Sequence, residues 1–258
     1  MKIKIRTELD YDCPNPTDLL LQIEAAIIPE QRVLAAHIDL PQAQHFARVP
    51  GHDAIGDRIW LRFQGNLKVV YTGEVEIDRL DADISQLAAV PPHFLPGETV
   101  QYLLPSRYCP SDHFLMLVEA EFGHLAGGAR IAAMRDWIYQ HVVYASGSSN
   151  AFTGAMETFV DRHGVCRDFA HLMITMARAS AIPARFASVY GIGVEPQDFH
   201  AVAEVFLDNV WYVVDATGMS SSGRIAKIGI GRDAADVSFL TSYGTVIMNS
   251  QIVEVTEA

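Results

Sequence analysis

Apolar and charged residues alternate from the first positions: Ile3 and Ile5 stand between Lys2, Lys4 and Arg6, the period of a strand with one buried face. The same period returns in RIWLRF (58–63) and in LKVVYTGEVEI (67–77), on either side of Gly65-Asn66. These two runs are expected to form an antiparallel hairpin that turns at that pair. DLLLQIEAA (18–26) and RVLAAHIDL (32–40) read as two further strands. AVPPHFLPGE (89–98) and LPSRYCPSDHF (104–114) then break the pattern with prolines, and a domain junction is expected after them, at 120/121.

Beyond Gly128 the period becomes helical, with Ile131, Met134, Ile138 and Val142 on one stripe before the Ser/Gly run ASGSSN ends the element. ETFVDRHG reads as a short helix that Gly164 terminates. From Cys166 onward Phe169, Leu172, Met173 and Met176 share a helical face until Ile182-Pro183 stops it. ARFASVYGIG, HAVAEVFL, VWYVVDAT and the late QIVEVTE carry strand signals. The pattern predicts an α+β protein: an N-terminal antiparallel β domain over 1–120, then a second domain over 121–258 with a helix docked on an antiparallel sheet.

Composition narrows the function. The chain has 258 residues, 50% hydrophobic and 19% charged, enough for a sizeable core. A formal net charge of -12 and the lack of any Lys/Arg run oppose binding to nucleic acid or to an anionic membrane. MKIKIRTELDYDC lacks the apolar centre of a signal peptide, and no apolar run reaches membrane-spanning length. Three widely spaced cysteines, Cys13, Cys109 and Cys166, do not suggest a disulfide framework, so reduced thiols and a cytoplasmic location are expected.

Cys166 holds the most suggestive position. At the first turn of a helix it meets the positive end of the backbone dipole and unpaired amides, which favour a thiolate and can donate to an oxyanion. The alternative is a small buried residue, and the choice rests on a partner. His171 lies five residues on, about 140° around an ideal helix, and faces away from the thiol; a structural role is expected for it. His163 precedes the helix in a turn and is expected at the surface. His200 opens HAVAEVFL, whose alternation sets His200, Val202, Glu204 and Phe206 on one face. If Asp208-Asn209 is a two-residue hairpin loop, Leu207 pairs with Val210 and Val202 stands opposite Asp215. His200 then becomes a diagonal neighbour of Asp215, roughly 7–8 Å away by Cα, within reach of an imidazole–carboxylate bond. The register thus supplies His200 as base and Asp215 as the group orienting it, with Cys166 at the helix start as the nucleophile they would serve.

Three segments, GVCRDFAHLMITMARASAIPARFASVYG, DFHAVAEVFLDNVWYVVDATG and IGRDAADVSF, resemble the transglutaminase-like superfamily, in particular its bacterial branch of cysteine proteases. The strand-rich start with LPSRYCPSD is similar to the N-terminal β domain that accompanies that branch. The resemblance implies a papain-like core with a Cys166, His200, Asp215 triad, acting on a peptide or amide substrate without cofactor or metal. Hydrolysis through a thioester is the expected reaction, with acyl transfer to an amine or a catalytically silent peptide-binding protein as alternatives. Three positions depart from the pattern: Arg167 replaces a common Gln, Val202 an aromatic, and Ala216 a proline. METFVDRHGVC also lacks the glutamine that papain-like proteases use as a second oxyanion donor, leaving Asn150, Thr153 and Tyr190 as candidates. A zinc site from His163, Cys166 and His171 lacks a second ligand pair. GIGRDA (229–234) imitates a phosphate-binding glycine pattern without the following helix, so Arg232, Asp233 and Asp236 are expected to order a loop. The sequence does not reach the oligomeric state.

Overall fold

The computed structural model describes residues 1–258. Two long strands dominate the first half. β1 (Lys2–Leu21) and β4 (Asp57–Ile77) pair antiparallel almost from end to end. β2 (Gln31–Asp39) and β3 (His45–Pro50) pair with the two ends of β4. Ile3, Ile5, Leu9 and Tyr11 on β1 are buried, as the alternation requires.

The hairpin expected at Gly65-Asn66 does not form, because β4 runs straight through both residues. Pro14 and Pro16 have no amide hydrogen to give to a ladder, and β1 accordingly bulges between Cys13 and Thr17. Gly65, at φ 103°, pairs opposite Cys13 at the edge of that bulge. The local turn signal thus belongs to a bend in one long strand pair. DLLLQIEAA is likewise not a strand of its own: Asp18–Leu21 closes β1, and the chain leaves the sheet at Gln22.

The middle of the chain forms α1 (Leu115–Phe122), α2 (Gly127–His141), β5 (Val143–Tyr144), α3 (Ala155–Asp161), β6 (His163–Gly164) and α4 (Cys166–Ala179). The second sheet follows: β7 (Ala184–Gly191), β8 (His200–Leu207), β9 (Val210–Val214) and β10 (Ile225–Gly231), in spatial order β10-β7-β8-β9, all antiparallel. β10 is absent from the expected strands; its IAKIGIG sequence carries the glycines that imitated a phosphate loop. No helix follows it, and Arg232 and Asp236 pair across the ensuing loop. β11 (Leu240–Ser242) and β12 (Ile247–Glu257) then return to β1. QIVEVTE is therefore a strand, but it belongs to the first sheet.

α4 packs on β7 and β8 and is buried continuously over 168–178, so its apolar face is only part of its interior. The polar members are satisfied in place: Arg178 donates to the carbonyls of Ala184 and Leu104, to Ser106 Oγ and to the carbonyl of Arg232. The two sheets also share a core, since Tyr190, Phe199, Ala226 and Ile228 pack among the residues of β1 and β4. No helix is long and apolar enough to cross a membrane.

Candidate active site

The segment before α4 is built to hold Cys166 at the first turn. Asp168, completely buried, accepts from the Val165 backbone N–H at 2.9 Å and from Ser149 Oγ at 3.0 Å. This ties the helix start to the preceding loop. Gly164 lies so close that a Cβ there would stand 2.8 Å from Asp168 Cβ, a contact only glycine avoids. β5 pairs in parallel with β6, Tyr144 opposite Gly164, which brings Tyr144 beside the same helix end. Cys166 is half-buried, with Sγ 4.0 Å from the Phe199 carbonyl oxygen.

Asp208 and Asn209, with φ of 46° and 64°, form the tight loop between β8 and β9. Leu207 pairs with Val210 and Ala203 with Val214, the register expected from the sequence. His200 Nε2 lies 2.9 Å from Asp215 Oδ2. The other ring nitrogen, Nδ1, is buried and without a hydrogen bond, and His200 and Cys166 line one cavity. Burial opposes the charged imidazole, but the bond to Asp215 and the neighbouring Cys166 thiol outweigh it and raise the His200 pKa to about 9. Asp215 also resists burial, because His200, Thr217 and the Ser220 N–H all donate to it and hold its carboxyl below the usual range.

Of the three sequence candidates for a second oxyanion donor, Tyr190 lies away from the thiol, and Asn150 and Thr153 bond within the loop before α4. Tyr190 is buried between the sheets, its hydroxyl donating to the Ile23 carbonyl and accepting from Thr7. Asn150 Oδ1 accepts from the Phe152 N–H and Thr153 Oγ1 from the Asn150 N–H. Tyr144, absent from the sequence candidates, is the phenol beside the thiol. Burial first, then the Cys166 thiol, raise its pKa to about 12, while the Cys166 backbone N–H pulls the other way. No short-range motif marks Tyr144; only the parallel pairing of β5 with β6 carries it to this place.

His163 is exposed, its Nδ1 2.7 Å from the Asp161 carbonyl oxygen, whereas His171 is wholly buried, so these two do not converge with Cys166 on a metal. His171 stacks on Tyr108 at 5.0 Å, and its Nε2 accepts the Ala234 N–H at 3.1 Å. Burial, reinforced by Arg167 and Arg178, pushes its pKa well below the ordinary 6.5. The unfolded chain therefore binds a proton near pH 6.5 that the folded chain refuses, and stability falls as pH drops below that value. His171→Gln cannot titrate and is expected to flatten the fall in thermal midpoint between about pH 6.5 and 5.

A helix that presents a cysteine at its N-terminus, packed on an antiparallel sheet that presents a histidine, defines the transglutaminase-like class of fold. A family model described as the transglutaminase-like superfamily matches residues 120–216. The crystal structure of a "putative cysteine protease" from Cytophaga hutchinsonii superposes with a TM-score of 0.94 at 32% identity, over 100% of this chain and 90% of that one. The chain belongs to the transglutaminase-like superfamily. It is also 26% identical over 149 residues to an uncharacterized protein of Mycobacterium leprae, covering 54% of this chain and 53% of that protein. An uncharacterized protein of Mycobacterium tuberculosis H37Rv is 34% identical over 131 residues, 44% of this chain and 40% of the relative. The chain thus spans about half the length, or less, of the curated relatives it matches. Family and fold support a cysteine-dependent hydrolase or acyltransferase.

Proposed function

We propose that the protein is a cysteine hydrolase that cleaves a peptide or amide bond through a thioester, with Cys166 as nucleophile, His200 as base and acid, and Asp215 as the orienting carboxylate. The observation that carries this reading is the 2.9 Å bond between His200 Nε2 and Asp215, which leaves the unbonded Nδ1 for the thiol in the shared cavity. His200 Nδ1 takes the Sγ proton and the thiolate adds to the carbonyl carbon. The Cys166 N–H and the Tyr144 hydroxyl donate to the resulting oxyanion. Collapse breaks the C–N bond, and the imidazolium gives its proton to the departing amine. Water, deprotonated by His200, then attacks the thioester, releasing the acid and returning the thiol.

The reading extends to the unit and the compartment. In this reading residues 121–258 supply every reacting group, and their last two strands, β11 and β12, complete the sheet of the N-terminal β domain of residues 1–120. Three unpaired cysteines suit a reducing compartment, the cytoplasm.

Two measurements test the chemistry. The alkaline limb of kcat/KM is expected near pH 9, where the imidazolium that protonates the leaving amine is lost. Asp215→Asn removes the negative charge that helps raise this pKa, so the limb should move to lower pH while kcat falls about 10²–10⁴-fold without vanishing. An unmoved limb would detach Asp215 from His200. A mixed peptide library, incubated with and without a primary amine, separates the products: free acids are expected, and predominance of amine adducts would replace hydrolysis by acyl transfer.

A further inference from the structure

The cavity that Cys166 and His200 share has a volume of about 290 Å³, and the two reacting groups account for only part of its wall. The rest is largely aromatic and aliphatic. Phe186 comes from β7, Phe199 from the turn into β8, and Val237 and Phe239 from the segment that leaves β10. Phe199 and Phe239 stack with ring centroids 4.7 Å apart and planes 8° from parallel, a flat surface beside the thiol.

Arg167 is the one Lys or Arg at the cavity, and it is already engaged. Its Nη2 donates to Ser149 Oγ, to the Asn150 and Thr153 carbonyls and to Asp168 Oδ1, holding the 149–153 loop against the helix start. A charged substrate side chain entering here would shed water without gaining a free counter-ion. An apolar one would meet ring faces and methyl groups.

The apolar wall is also held in place from several directions. The Phe239 carbonyl accepts from the Gln22 N–H at 3.0 Å, and the Asp236 carbonyl accepts from Arg58 Nη2 at 2.9 Å, both from the first half of the chain. At the other end Ala234 is tied to His171, and Asp233 Oδ2 accepts the Tyr108 N–H at 2.9 Å. The first sheet therefore supports one side of the cleft, and the cavity exists before any substrate arrives.

We propose that this cavity is a specificity pocket for a bulky, uncharged apolar side chain, of leucine or phenylalanine size, on the substrate residue next to the scissile amide. The inference rests on the thiol-hydrolase reading and names the substrate class of that site.

The test is a set of fluorogenic peptide amides differing only at the residue that flanks the scissile bond: Phe, Leu, Trp, Gly, Gln, Glu or Lys. Wild-type kcat/KM is expected to favour Phe and Leu over Glu and Lys by at least about 10-fold. Ala234→Phe fills the cavity and is expected to lower the Phe and Leu values at least about 10-fold more than it lowers the Gly value. Val237→Ala enlarges it and should shift the preference toward Trp. The full-length Cys166→Ala protein should bind the same peptides, by calorimetry, in the same order. Equal rates across the set, or a maximum at Glu or Lys, would overturn the pocket and leave the hydrolase standing. No Cys166-dependent cleavage of any member would overturn the hydrolase, and a flat binding order with Cys166→Ala would then overturn the pocket as well.

Discussion

Cys166→Ala is expected to abolish amide turnover and, with it, the labelling of the protein by iodoacetamide below neutral pH. The other two thiols cannot substitute. Cys109 is wholly buried, and burial pushes its pKa up to about 12. Cys13 is also inaccessible, raised first by burial and then by Asp12. Only Cys166 combines access with a histidine whose free nitrogen shares its cavity. His200→Ala should cost as much as Cys166→Ala, at least about 10³-fold in kcat, and the double variant little more than either, because the two act as one unit. The Cys166→Ala unfolding midpoint should change little, since the α4 start is held by Asp168 rather than by the thiol. Label appearing on Cys13 or Cys109, or a His171→Ala protein that is folded and inactive beside an active His200→Ala one, would show that the nucleophile or the base lies elsewhere.

What the sequence makes legible follows the range of the interaction. The helix at 166–179 and the strand at 200–207 are written in local periodicity, and a two-residue turn carries the register from His200 to Asp215 without any long-range information. The long β1–β4 pair is different. Its bend at Gly65 looks like a turn locally and becomes part of a strand because β1 pairs with it on both sides of the bulge. β12 joins β1 from the far end of the chain, a partnership that no window of sequence contains. Tyr144 illustrates the same limit at the site: two residues of parallel pairing place its phenol, and neither strand is long enough to have a period. Arg167 could be seen as a departure from relatives, but its use as a clamp on the 149–153 loop appears only with the fold.

Glu204→Gln is expected to destabilise the fold by about 3–5 kcal/mol, the largest loss of stability from a single side chain outside the apolar core. Glu204 is fully buried on β8, opposite Arg185 of β7, whose Nε donates to its Oε2 at 2.7 Å. Lys227 of β10 reaches its Oε1 at 2.5 Å and also pairs with Glu30, itself bonded to Arg79. Arg185 stacks over Trp211 of β9, so one ionic row crosses the whole second sheet. Burial alone would raise the Glu204 pKa, but Arg185 and Lys227 overcome it and lower the value to about 2. The unfolded carboxyl titrates near 4.5, so this contribution is complete above that pH and is lost as pH falls from about 4.5 toward 2. Removing the charge leaves two cations buried with one counter-ion too few. Replacing the row together, as Arg185→Leu, Glu204→Met and Lys227→Met, should recover most of the loss, because no buried charge of the row is then left unpaired and Glu30 keeps Arg79. Urea unfolding of the single and triple variants at pH 7 and pH 4 separates the cases: a Glu204→Gln protein as stable as the parent at pH 7 would mean that water or rearrangement already screens the row.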